Sequence, residues 1–332
     1  MMNYSKVLIA FVCAVFLSII LGAVIIPLLK RLKAGQSILG YVDNHAGKAG
    51  TTTMGGLIFA LSTLICFFLF CNGDKSLCYV ALSVAGSFLV VGLLDDLIKI
   101  KFHHNEGLNA RQKLIFQCAI SLIIALFIYF KGHTDFFIPI INQFLDLKWF
   151  GSIIVFFTFI AVTNCVNLTD GLDGLAGGVS YIYLLLLAVL ICVQVNLYNK
   201  NYVLPEELLN LATLCIVQVG SLLGFLFYNT YSAKVFMGDT GSLYLGGFIA
   251  SCSILSGNTF FIPFFGIMFV LSGISVIVQV AYFKKTGRRV FLMAPLHHHF
   301  EYKGHSESKI VFAYKLVTLL VGAICIISVM RG

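Results

Sequence analysis

Residues 77–99 read LCYVALSVAGSFLVVGLLDDLIK. From Leu77 to Leu94 there is no charged side chain, and the run then meets Asp95, Asp96 and Lys99 directly. An uncharged apolar run of about 18 residues or more reads as a membrane-spanning helix. Carboxylates placed at the end of such a run are costly in hydrocarbon, so their presence points to function. One segment therefore suggests both a fold and a site: an apolar helix that delivers acidic groups to a membrane surface.

The rest of the chain repeats the apolar half of that pattern. Of its 332 residues 59% are hydrophobic and 11% charged, whereas soluble domains carry about 45–50% and about 25%. That balance excludes a soluble globular protein. Roughly 196 apolar side chains suffice for nine or ten spans at about 20 residues each. Apolar runs bounded by polar residues lie at about 7–29, 54–71, 77–94, 114–130, 150–166, 176–195, 208–227, 243–255, 260–283 and 310–330. The expected fold is all-α: a polytopic membrane helix bundle of about ten transmembrane helices, forming a single integral membrane domain over 1–332. The eighth run is short and carries Ser and Gly, and the ninth contains Pro263 and Gly266, so one of these later helices should be broken or kinked. The first run is longer than a signal-peptide core and lacks a small-residue cleavage pattern, so it reads as a retained span.

The polar remainder carries direction. With ten spans, 15 of the 22 basic residues fall in loops on one side, which the positive-inside rule makes cytoplasmic, with both termini outside. The net charge of +8 then reflects that bias and attraction to the lipid bilayer, with no nucleic acid implied. Most of the ten cysteines stand singly in or beside apolar runs, and no Cys-x-x-Cys occurs, which reads as buried small hydrophobes. The loops expected to carry chemistry lie near 30–53, 95–113, 167–175, 229–242 and 284–309.

Four loops concentrate unusual residues. Asp95-Asp96-x-x-Lys99 offers hard oxygen ligands for a divalent cation such as magnesium and an ammonium for a phosphate; the same pattern also occurs on solvated helix ends. The run from Asn164 to Gly178 places Asn164, Asn167, Asp170 and Asp173 around two Asp-Gly steps, where glycine lets the backbone approach a ligand closely. Asn229 to Ser242 sets Asp239 between glycines at a helix start, as phosphate loops do, and Phe236 could stack on a base or anchor at the membrane interface. Pro295 to Glu301 carries His297, His298 and His299. Three consecutive histidines cannot all face one metal from a helix, so phosphate contact or proton transfer suits them better than zinc. A further run, Lys48 to Gly56, combines one cation, the hydroxyls of Thr51, Thr52 and Thr53, and three glycines, an anion-cradling composition. Clustered aspartates, lysines and glycine loops at one membrane face favour metal-assisted chemistry on a phosphate-bearing, nucleotide-like substrate, with a lipid phosphate as second substrate.

Taken in order, these motifs resemble the polyprenyl-phosphate N-acetylhexosamine-1-phosphate transferases, and the resemblance covers nearly the whole chain. Within that family, the triple-histidine loop and the Asp-Gly-Leu-Asp-Gly-Leu-Ala run are most similar to members that move phospho-MurNAc-pentapeptide from UDP-MurNAc-pentapeptide to undecaprenyl phosphate. The resemblance implies lipid I and UMP as products, Mg2+ as cofactor, a homodimer of ten-span subunits, and a bacterial plasma membrane with the site on the cytoplasmic face. It implies that Asp239 binds the metal, with Asp95 and Asp96 as further candidate ligands, and that Asp95 and Asp96 serve the acceptor phosphate and the reaction. Asn167, Gly171, Asp173 and Phe236 would form a uridine pocket. Lys48, Lys99, Asn229, Asp170, His298 and His299 would hold phosphates or the amino-sugar, with Thr53, Asn164 and His297 as further substrate contacts. One departure is Thr52, where the family usually has proline. Two other readings remain open on sequence: a sibling transferase that uses UDP-GlcNAc, and an anion transporter, since broken helices and membrane charges also occur there.

Overall fold

A computed structural model describes residues 4–32, 51–102, 107–197 and 205–331; Lys48 lies outside these. Each apolar run becomes helix. The elements are α1 (Tyr4–Arg31), α2 (Gly56–Phe70), α3 (Ser76–Phe102), α4 (Ala110–Lys131), β1 (Asp135–Ile138), β2 (Gln143–Asp146), α5 (Lys148–Thr169), α6 (Leu175–Leu197), α7 (Pro205–Asn229) and α8 (Gly238–Leu255). A 3-10 turn (Thr259–Phe261), α9 (Ile262–Phe265), α10 (Ile267–Thr286), α11 (Leu296–Tyr302) and α12 (Glu307–Arg331) complete the chain.

Among the described residues eight helices are long and apolar enough to cross a membrane. The other two apolar runs give the 15-residue α2 and the 18-residue α8. Their shortness has a packing reason in α8, which is buried from Thr240 to Leu255 and so forms the axis of the bundle rather than its lipid-facing wall. Neighbouring backbones approach it through glycine: a β-carbon on Gly56 would collide with Gly241, and one on Gly92 with the carbonyl of Asp239. Small residues at such crossings are the usual means of close helix packing in membranes. The ninth run breaks as expected, since α9 stops at Gly266 before α10 begins. The outer helices turn Leu, Ile and Phe outward, among them Phe16 on α1, Ile123 on α4 and Ile277 on α10.

One element lies outside an all-helical expectation. β1 and β2 pair antiparallel, Asp135 opposite Asp146 and Ile138 opposite Gln143. Phe136 and Phe137 are buried, and Phe137 N–H donates to the Gly257 carbonyl at 2.8 Å, so the hairpin is pinned to the end of α8 remote from Asp239. Four-residue strands are too short to leave an alternating signature in an apolar sequence.

Candidate active site

The acidic groups collect at one end of the bundle because α3 and α5 finish there and α8 starts there. Asp96, on α3, works first on the backbone. Its Oδ2 accepts from Thr240 N–H at 2.9 Å and from the Thr240 hydroxyl at 2.7 Å, and its Oδ1 accepts from Asp239 N–H at 3.3 Å. A helix start exposes N–H groups without intrahelical partners, and here a carboxylate from another helix satisfies two of them. Gly238 makes this possible: its φ is +70°, and a β-carbon would lie 2.5 Å from both Asp96 Oδ2 and Thr53 Oγ1. Thr53 is thereby placed beside the carboxylates. Its strand-like segment is joined to the α7–α8 loop, with Phe236 N–H donating to the Thr52 carbonyl at 2.7 Å and Gly55 N–H to the Phe236 carbonyl at 2.8 Å.

Two lysines complete an ion cluster. Lys99 Nζ lies 2.6 Å from Asp95 Oδ2, 2.9 Å from Asp239 Oδ2 and 3.9 Å from Asp96 Oδ1. Lys113, in the first turns of α4, lies 2.6 Å from Asp239 Oδ2 and 3.1 Å from Asp95 Oδ1. Asp95 Oδ1 also accepts from Leu108 N–H at 2.8 Å. Asp95 and Asp96 are buried while Asp239 is partly accessible, so the cluster is open at Asp239 and its two lysines. Oxygens of Asp95, Asp96 and Asp239 lie within 4.8 Å of one another, a donor set that fits a hard divalent cation.

The asparagines divide by helix face. Asn167 donates to Asp239 Oδ1 at 2.7 Å and to Ser242 Oγ at 2.8 Å, joining the cluster. Asn164, three residues earlier on α5, donates to Gln117 Oε1 at 2.8 Å and to the Ile160 carbonyl at 2.7 Å, so its amide links α5 to α4. Asn229 holds two loops together: its Oδ1 accepts from Gly174 N–H at 3.2 Å and its Nδ2 donates to the Val235 carbonyl at 2.9 Å. Asp173 accepts from Ala233 N–H at 3.0 Å. The Asp-Gly-Leu-Asp-Gly loop and the α7–α8 loop are thus held together, and Phe236 of the latter is half-buried. Asp170 ends α5; burial, then the charges of Asp239, Asp96 and Asp173, hold its carboxyl well above the usual range.

The three histidines of α11 point three ways. His297 is buried, and a β-carbon on Gly171 would collide with its Nε2, so the α11 loop closes over the α5–α6 turn. His298 Nδ1 lies 2.9 Å from Glu301 Oε2. His299 Nδ1 accepts from Leu292 N–H at 3.1 Å, and burial followed by the charge of Lys303 lowers its pKa.

Sequence reading singled out every aspartate of the cluster but not Lys113 or Gln117. The available signal for Lys113 was its place: the Asn109–Gln112 capping box starts α4, and a cation in the first turns opposes the helix dipole unless carboxylates from elsewhere hold it.

Comparison with known proteins agrees with this geometry. The sequence model of the family described as "Glycosyl transferase family 4" matches residues 76–257. A phospho-N-acetylmuramoyl-pentapeptide-transferase of Clostridium perfringens (strain 13 / Type A) is 41% identical over 316 residues, 95% of this chain and 96% of that protein. One of Clostridium acetobutylicum is 41% identical over 317 residues, 94% and 95% of the two chains. One of Clostridium novyi (strain NT) is 38% identical over 334 residues, 100% and 98%.

Proposed function

The chain belongs to the phospho-N-acetylmuramoyl-pentapeptide-transferases of glycosyl transferase family 4, and from that premise we propose how its site performs the reaction. The chain is a bacterial membrane transferase of peptidoglycan synthesis. It transfers phospho-MurNAc-pentapeptide from UDP-MurNAc-pentapeptide to undecaprenyl phosphate, forming lipid I and releasing UMP. The observation that carries the mechanism is the convergence of Asp95, Asp96, Asp239, Lys99 and Lys113 in one cluster.

Phosphoryl transfer needs positioning and neutralisation more than covalent chemistry from the protein. Asp95 orients or deprotonates the acceptor phosphate, whose oxygen attacks the β-phosphorus as the bond to the UMP oxygen breaks. Lys99 and Lys113 counter the charge of the donor diphosphate and the acceptor phosphate. Asp239 and, through the same oxygen set, Asp95 and Asp96 would hold Mg2+. Bound there, magnesium would supply positive charge to neutralise the leaving UMP. Asp96 holds the start of α8, which keeps Asp239 facing the cluster. Asn167, Gly171, Asp173 and Phe236 line the uridine pocket; Lys48, Asn229, Asp170, His298 and His299 hold phosphates or the amino-sugar, with Thr53 and His297 as further contacts, while Asn164 braces α5 against α4. The site faces the cytoplasm, both termini lie outside, and the enzyme works as a homodimer, a reading supported by the basic-residue bias and family resemblance.

Asp239→Asn is expected to abolish UMP release; substantial turnover with unchanged magnesium dependence would remove Asp239 as the metal ligand. The competing mechanism passes through a covalent phospho-aspartyl intermediate. Labelled UMP exchanging into UDP-MurNAc-pentapeptide without any lipid acceptor would favour it over direct attack.

A further inference from the structure

Lys315 is the one charged side chain between Ile310 and Met330. An ammonium in such a run is costly unless it reaches water or an anion, and lysine does so by laying its methylenes along an apolar surface. Lys315 adopts that posture across α6. A β-carbon on Gly178 would lie 3.0 Å from Lys315 Cδ, 3.4 Å from Cγ and 3.8 Å from Cε, so the glycine provides the trough in which the stem rests. Gly178 falls in the first turn of α6, about 5 Å from the helix start, at the same end of the bundle as the carboxylates.

The surroundings are those of a lipid-facing cleft. Phe312 and Leu319, three before and four after Lys315 on the same face of α12, are 62% and 43% exposed, and Leu185 of α6 is 38% exposed. Lys315 itself is partly buried, and no hydrogen bond or ion pair engages its ammonium among the described residues. The cleft is separate from the reacting cluster: Gly177, the adjacent α6 residue, faces the other way, toward Leu226 and Met237. A cation just below the membrane surface, walled by apolar side chains, meets one abundant class of anion, the phosphate of a lipid.

We propose that the cleft between α6 and α12 is a lipid-phosphate site, in which the Lys315 ammonium holds the phosphate of a membrane lipid whose hydrocarbon chain lies along Phe312 and Leu319. The shared chemistry admits an anionic phospholipid or a polyprenyl phosphate as source.

Native mass spectrometry of the purified full-length protein in detergent, titrated separately with phosphatidylglycerol, undecaprenyl phosphate and inorganic phosphate, tests this. Lys315→Met should weaken binding of at least one of the two lipids by about five-fold, the loss of one lysine's attraction near a membrane surface, while Lys315→Arg retains it. Turnover in lipid-depleted detergent should not change with Lys315→Met. Loss with phosphatidylglycerol alone identifies a bulk-lipid site, and loss with undecaprenyl phosphate alone a second acceptor site. Lys315→Gln provides a second neutral variant should Lys315→Met lower the thermal midpoint without lipid. Equal binding of both lipids by wild type and the neutral variants, loss of binding in Lys315→Arg, or equal competition by inorganic phosphate would overturn the proposal.

Discussion

Lys113 Nζ lies 2.6 Å from Asp239 Oδ2 although 126 residues separate the two in the chain. The same ammonium reaches Asp95 Oδ1 at 3.1 Å, so α4 supplies half of the positive charge that holds three carboxylates together. Removing it leaves like charges facing one another as two anionic substrates arrive. Lys113→Met is expected to lower the rate of UMP release about 10²–10³-fold, the range for loss of one preorganised charge-stabilising group. Lys113→Arg should recover part of that loss. A Lys113→Met enzyme with turnover near wild type would show that Lys99 alone balances the cluster.

Metal removal separates the ligand role of the aspartates from their structural roles. Chelation should abolish UMP release, and added magnesium should restore it. The second readout is stability: magnesium should raise the thermal midpoint of the wild type, because a ligand that binds only the folded state stabilises it. Asp239→Asn should lose that increment. Were the increment to persist in this variant, the metal would have to bind elsewhere.

Gly171 stands where a β-carbon would collide with His297 Nε2. His297 is buried and has little room to retreat, so Gly171→Ala should push the α11 loop away from the α5–α6 turn. Displacement by about 1 Å near a reacting centre costs about 10²-fold in rate. The expected result is a loss of that order in kcat/KM with the protein still folded in detergent, checked by size-exclusion profile alongside the UMP assay.

Some of this was legible in the sequence and some was not, for reasons that differ by residue. The apolar runs specify the helices because burying or facing lipid with long uncharged segments leaves little alternative, and Pro263 with Gly266 marks the break that separates α9 from α10. Asp95, Asp170 and Asp239 stand out because carboxylates beside hydrocarbon are rare. Lys113 did not stand out, since it is one of several basic residues around the α3–α4 connection, and only the packing of α4 against α5 and α3 brings it to Asp239. Asn164 and Asn167 look equivalent in a polar motif, yet three residues of helix turn one toward Gln117 and the other toward Asp239. The three histidines show the same effect at single-residue spacing. The β1–β2 hairpin was illegible because its strands are four residues long and amid apolar sequence.

Asn164 therefore calls for a stability measurement as well as a kinetic one. Its amide and that of Gln117 pair inside the bundle, and truncating one partner leaves the other buried without its bond, at about 1–3 kcal/mol. Asn164→Ala should lower the thermal midpoint by several degrees while KM for the uridine substrate changes little. The double variant Asn164→Leu with Gln117→Leu should recover stability, because replacing both partners by apolar groups removes the unpaired amide. A large rise in KM without a change in midpoint would instead assign Asn164 to the substrate.

Asp170 gives the pH dependence. Burial and the neighbouring charges of Asp239, Asp96 and Asp173 raise its carboxyl pKa, so the folded protein binds this proton more tightly than the unfolded chain does. The favourable contribution is fully present below the unfolded value of about 3.9 and is lost as pH rises through the raised folded value. Above that raised folded value the ionised carboxylate is a net cost to the fold. Asp170→Asn removes the charge at nearly constant shape and should raise the thermal midpoint there by about 2–4 °C. The advantage over wild type should shrink steadily as the pH is lowered and Asp170 takes up its proton. Differential scanning fluorimetry across that range checks the sign. A variant less stable than wild type at high pH, with the gap closing on acidification, would mean that ionised Asp170 is stabilised by a partner, and the like-charge account of this corner of the site would be wrong.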